Sequence, residues 1–187
     1  MLRKLKILIL PAALIFIGAT FTGAYFSDSV SVSGNNFSAG TWEAPTTTPA
    51  DIVLNEFMAN PSGPEPDGEW IELYNKGGSS IDINGWVLYD AIDSHSLLIT
   101  PTNVVGGSTA IGASSYLVVD YQLPSTFSLN NTGTETLRLY DGLIGTGSLK
   151  DNITYSGTVE DKTGARLPDG TGGWTNNHTP TLGGPNV

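Results

Sequence analysis

The stretch "EWIELYN", residues 69–75, sets two glutamates, a tryptophan and a tyrosine beside two aliphatic residues. It reads either as an acidic active site with an aromatic platform or as one strand of a sheet, and alternation decides between them. In a strand, successive side chains point to opposite faces. Ile71 and Leu73 then share one side, and Trp70, Glu72 and Tyr74 share the other. The aliphatic pair is the expected core face, with Glu72 solvated between two rings. Glu69 is expected at the strand's mouth, on the Ile71 side but outside the packed layer. Two carboxylates three residues apart on a strand face opposite ways and cannot serve one substrate. The catalytic reading of this stretch fails on geometry.

The same pattern runs outward in both directions. "DIVLNEFMAN" (51–60) is apolar and ends in a proline-rich loop that cannot continue a ladder, because proline lacks an N–H. "IDINGWVLYD" (81–90) breaks at Asn84-Gly85, a strong turn dipeptide. "SHSLLIT", "TAIGASSYLVVD", "TETLRLYDG", "LKDNITYSG" and "GARLPDG" complete the series. About eight or nine strands with turns roughly every 8–12 residues predict an all-β sandwich. No body segment carries a helical period.

Composition agrees. The 187 residues include 23 Gly and 11 Pro, turn-rich material and poor stock for long helices. Cysteine is absent, which excludes disulfides, thiolate metal sites and a cysteine nucleophile. Eight basic residues face 18 acidic ones, for a net charge of −10. Arg3, Lys4 and Lys6 lie at the extreme N-terminus, so removal of a leader would take the charge to −13. A body that acidic repels phosphate backbones, and nucleic acid is not an expected partner.

The leader "MLRKLKILILPAALIFIGATFTGA" (1–24) has a basic start, an apolar run over 7–17 and small residues at Thr22 and Ala24. That pattern predicts a signal peptide cut between Ala24 and Tyr25. The rival reading is an uncleaved anchor, since no charge occurs over 7–27 and such a helix just crosses a core of ~30 Å. Either way the remainder is exported, and membrane contact comes only through an uncleaved leader. The next stretch, "AYFSDSVSVSGNNFSAGTW" (24–42), resembles the N-terminus of TasA- and camelysin-like exported proteins. That resemblance implies cutting by an ER-type, SipW-like signal peptidase. Residues 25–51 are expected to form an exported stretch ending in a Thr/Pro linker, "EAPTTTPAD" (43–51), ahead of one domain over 52–187. Within it "DSVSVSGNNF" (28–37) alternates as a strand donated to its own domain or a neighbour's would.

Four blocks in order, "GEWIELYNKGGSSIDINGWVLYD", "TAIGASSYLVVD", "FSLNNTGTETLRLYDG" and "ARLPDGTGGW…TPTLGGPN", resemble a lamin tail domain of the exported prokaryotic type. The resemblance implies an immunoglobulin-like β-sandwich. It does not imply lamina function, because no coiled-coil rod, basic import stretch or prenylation box accompanies the blocks.

Chemical motifs weigh little beside this. His95, next to Asp93 and flanked by Ser94 and Ser96, suggests a minimal hydrolase, yet no G-x-S-x-G elbow is present, and a loop or edge histidine is expected. His178 is expected in an exposed tail. Asp67, Asp90, Asp93, Asp141 and Asp169 lie near turns without the spacing of a calcium loop. Trp86 is expected in the inter-sheet core and Trp174 as a plug at the sandwich end; Trp42 lies outside the domain. The expected protein is a non-enzymatic, cofactor-free, exported module that binds an envelope or extracellular protein or glycan. The alternatives are a fibre or envelope-matrix subunit assembling by strand addition, a sugar-binding module, and the His95 hydrolase.

Overall fold

The computed structural model describes residues 51–64, 68–120 and 126–187. The leader with its Ala24/Tyr25 junction, the alternating stretch 28–37, Trp42, Asp67 and nearly all of the linker lie outside the described residues.

Eleven strands are formed among those described: β1 (Ile52–Met58), β2 (Trp70–Asn75), β3 (Ile81–Asp82), β4 (Val87–Tyr89), β5 (Ser96–Leu98), β6 (Ala110–Ile111), β7 (Tyr116–Asp120), β8 (Thr134–Tyr140), β9 (Leu149–Ser156), β10 (Thr163–Leu167) and β11 (Gly173–His178). One sheet runs in the order β11-β10-β1-β2-β7, the other β5-β4-β8-β9, and β3 pairs with β6 alone. Every named pair is antiparallel. The fold is an immunoglobulin-like β-sandwich, as expected. The strand count exceeds expectation for two reasons. "TAIGASSYLVVD" splits into β6 and β7 at a turn in which Ser114 takes a positive φ of 51°. And "GWTNNH", poor in β-branched residues, is recruited as β11 by pairing with β10.

The core lies between the two large sheets. Ile71 and Leu73 are fully buried there with Ile52, Leu54, Phe57, Leu88, Leu137 and Leu139. Trp86 is buried in the same cluster, and Trp174 packs against it from β11. Full burial of each such side chain stabilises by about 1.5–3 kcal/mol. Phe57 lies across its cross-strand partner Gly164, where a Cβ would come within 2.2 Å of the ring's Cζ.

An irregularity in β1 fixes which polar side chains reach the outer face of the sheet. Ile52 and Leu54 face the core, and so do Phe57 and Ala59; the parity changes between them. The cause is a β-bulge between Leu54 and Glu56, where the register against β2 slips by one residue. Asn55 and Glu56 therefore both turn outward. The displaced backbone is not orphaned: Leu54 N donates to Asp151 Oδ2 at 3.0 Å, and Leu54 O accepts from Arg166 Nε at 3.0 Å.

Candidate functional site

The bulge brings Glu56 opposite Glu72 as Cα partners on β1 and β2. Both residues have 0% exposure. The expectation of a solvated Glu72 is overturned because the C-terminal segment, residues 179–187, crosses the outer face of the sheet and covers it. Alternation gives the face a residue points to, and it says nothing about what lies over that face.

The segment is held through its own donors. Gly183 N donates to Glu72 Oε2 at 2.7 Å, and Thr181 N reaches both oxygens of Glu56 at 3.2 Å. Thr181 Oγ1 lies 2.9 Å from Glu56 Oε2 and 2.7 Å from Asn186 Oδ1, so its single hydrogen serves one acceptor at a time. Asn186 closes the end: its N donates to Asp169 Oδ1 at 3.2 Å, and its Nδ2 donates to the backbone oxygens of Asn55 and Arg166. Beneath it, Asn55 Nδ2 donates to Glu72 Oε1 at 2.9 Å and Asp169 Oδ1 at 3.0 Å, while Asn55 Oδ1 accepts from Gly170 N. Thr163 Oγ1 donates to Glu56 Oε1 at 2.6 Å, and Tyr116 OH to Asp169 Oδ2 at 2.7 Å. Asn55, Glu56, Glu72, Thr163 and Asn186 form one buried polar network that binds the chain to itself.

Its electrostatics come from burial. Loss of solvent pushes the Glu72 carboxyl up to about 7; the bonds from Asn55 and Gly183 oppose the shift, and the nearby Glu56 and Asp169 add to it. Burial also pushes the Tyr116 hydroxyl up, reinforced by its bond to Asp169.

His178 is not the exposed tail residue expected. It ends β11 with its side chain 10% exposed, Nδ1 3.6 Å from Glu56 Oε1 and Nε2 3.0 Å from Val187 O.

A second acidic cluster occupies one end of the interior. Glu69 is 2% exposed, so it lies within the packed layer rather than outside it, on the Ile71 side as alternation requires. Asp90 and Glu135 are buried too. Glu135 Oε1 accepts from Ala91 N at 2.8 Å and Thr136 N at 2.7 Å, and Oε2 accepts from Asn130 Nδ2. Asp90 Oδ1 accepts from Ile92 N at 2.8 Å, and Oδ2 from Ser128 N at 3.3 Å. Tyr155, the Cα partner of Glu135, has its hydroxyl pushed up by burial and by Glu135, Glu69 and Asp90.

His95 sits at the rim of this cluster, its Nδ1 3.0 Å from Asp90 Oδ2 and its side chain 31% exposed. Its carboxylate partner is Asp90 rather than Asp93 two residues before it, which instead pairs with Arg138 Nη1 at 2.7 Å. Asp90 is already committed to two loop amides, so the dyad closes a turn. Of the other turn aspartates, Asp141 pairs with Lys150, and that contact holds its carboxyl below the usual range. Among the described residues, no group of three His, Asp or Glu is placed to hold a metal ion.

These features define a class before a family: an immunoglobulin-like β-sandwich whose buried acids are turned onto the chain's own amides and hydroxyls. The chain belongs to the lamin tail domain family, which matches residues 45–157, more than half of its 187 residues. That fold is a non-catalytic domain type. The match ends with β9, so β10, β11 and the C-terminal segment lie beyond it. No curated protein and no solved structure matches the chain.

Proposed function

We propose that this chain is an exported, non-enzymatic binding or structural module, working at the cell surface or in the extracellular matrix through contacts with a protein or glycan. One observation carries the non-enzymatic half. The acids of the two clusters, Glu56, Glu72, Asp90, Glu135 and Asp169, accept hydrogen bonds from the chain's own loops and C-terminal segment. They hold the fold together. Export rests on the leader sequence, with its basic start, apolar run and small residues before Tyr25. Loops at the ends of the sandwich and free strand edges are the surfaces such a fold offers to partners.

The test is secretion followed by capture. The exported form is expected to begin at Tyr25 and to retain an envelope protein or glycan from extracts. Retention of the protein inside the cell, or turnover of ester or peptide substrates abolished by His95→Ala, would contradict the reading.

A second reading, a matrix subunit growing by strand addition, is supported by β11. This edge strand pairs only with β10 among the described strands, and "GWTNNH" carries neither lysine nor a carboxylate to block a further strand. Concentration-dependent light scattering that Asn176→Lys suppresses would favour it over a monomeric binder.

A further inference from the structure

The sheet's outer face is desolvated by a segment that brings hydrogen-bond donors and little apolar surface. Leu182 is 55% exposed and Val187 93%, so the segment's apolar hold is weak and its hydrogen bonds dominate. Its hold depends on carboxyls that sit close together. Glu56 and Glu72 are cross-strand partners, and Asp169 shares Asn55 Nδ2 with Glu72. A buried carboxyl cluster without a matching cation is costly to charge.

We propose that residues 181–186 form a strap whose closure over the sheet is linked to proton uptake at Glu72, so that it is held in mildly acidic surroundings and loosens as the medium becomes alkaline. The proposal stands apart from the export and contact reading above.

The groups facing Glu72 permit no other compensation. From β1 comes Glu56, from the β10–β11 turn Asp169, and from β7 the Tyr116 hydroxyl; Tyr74 flanks Glu72 on its own strand. His178 of β11 faces Glu56. The guanidinium of Arg166 on β10 is spent on Leu54 O and Asp151 Oδ2 and lies over the Trp174 ring. Lys76, beyond Tyr74, is exposed.

Glu72 accepts from Asn55 Nδ2 on Oε1 and from Gly183 N on Oε2. With the proton on Oε1, Oε2 remains the carbonyl acceptor for Gly183 N, Asn55 Nδ2 keeps Asp169, and the repulsion from Glu56 is removed. When the strap lifts, Glu72 regains water and its carboxyl returns toward the ordinary 4.5 from about 7. The closed form therefore binds the proton more tightly, and closing weakens as pH rises across that interval, by roughly 300-fold at most. Lifting also removes Leu182 from the wall of the groove it lines with Trp70, Val105 and Val118.

Amide hydrogen exchange on the full-length chain tests this, comparing about pH 5.5 with about pH 8 after correction for intrinsic exchange. In the unmodified protein, protection at Thr181, Gly183 and Asn186 is expected to fall more than about tenfold, while that of β1 and β10 amides holds. In Glu72→Gln, which keeps an acceptor and cannot ionise, the strap is expected to change by less than about twofold. Equal pH dependence in the two proteins overturns the proposal. Should Glu72→Gln not fold, the unmodified chain decides alone: loss confined to strap amides supports the strap, and uniform loss or none overturns it.

Discussion

Glu69, just before β2, and Glu72 within it are three residues apart, and each ends in a buried acidic cluster on opposite faces of the same sheet. The interior cluster of Asp90 and Glu135 is closed by the loop amides of Ala91, Ile92 and Ser128 and by Thr136 N on β8. Those donors cannot depart without opening the sandwich. The outer cluster is closed by Thr181, Gly183 and Asn186 on the segment after β11, which is a strand of neither sheet and can lift while both stay paired. The difference teaches that the location of the donor, more than the depth of the acid, sets whether a buried carboxylate is structural cement or a latch.

The contrast can be broken in graded ways. The largest effect is expected from pH acting on the outer cluster. Glu72 has a folded-state value near 7 against an ordinary 4.5, so its stabilising contribution is full below about 4.5 and lost as pH rises through about 7. A displacement of that size corresponds to on the order of 3 kcal/mol. Urea unfolding across that range should show the decline in the unmodified chain and its absence in Glu72→Gln.

Glu135→Ala attacks the interior cluster and strands the amides of Ala91 and Thr136 together with Asn130 Nδ2. A global loss of about 3 kcal/mol by urea unfolding is expected, with strap and core amides losing protection together. Thr181→Val removes one hydroxyl from the latch; about 1 kcal/mol is expected, confined to exchange of the strap amides. Smallest is His95→Ala, whose part-exposed contact with Asp90 should cost less than about 1 kcal/mol in thermal unfolding.

The layered architecture was legible from turn spacing, and the core side of β2 from the alternation of Ile71 and Leu73. The outer cluster was legible in principle. Two adjacent polar residues, Asn55-Glu56, inside the apolar run "IVLNEFM" are what a bulge writes into a sequence, and the parity shift from Leu54 to Phe57 places both on one face. Their partner was not legible. Nothing local in "TPTLGGPN" announces a strap, because its bonds span more than a hundred residues to β1 and β2. The burial of His178 escapes a sequence reading for the same reason: it comes from Glu56 and Val187, which no local pattern joins to it. His95 lies in the loop before β5, as a loop or edge histidine would, although its carboxylate partner is Asp90, five residues away, rather than the nearer Asp93.

The most direct test of the account is a carbon-13 NMR titration of the Glu72 side-chain carboxyl in the full-length protein, read together with the Gly183 amide. A midpoint near 7, with the Gly183 resonance moving in step, is the predicted result. A midpoint between about 4 and 4.5, with the Gly183 amide indifferent to it, would mean that Glu72 is solvated and that no segment covers the sheet.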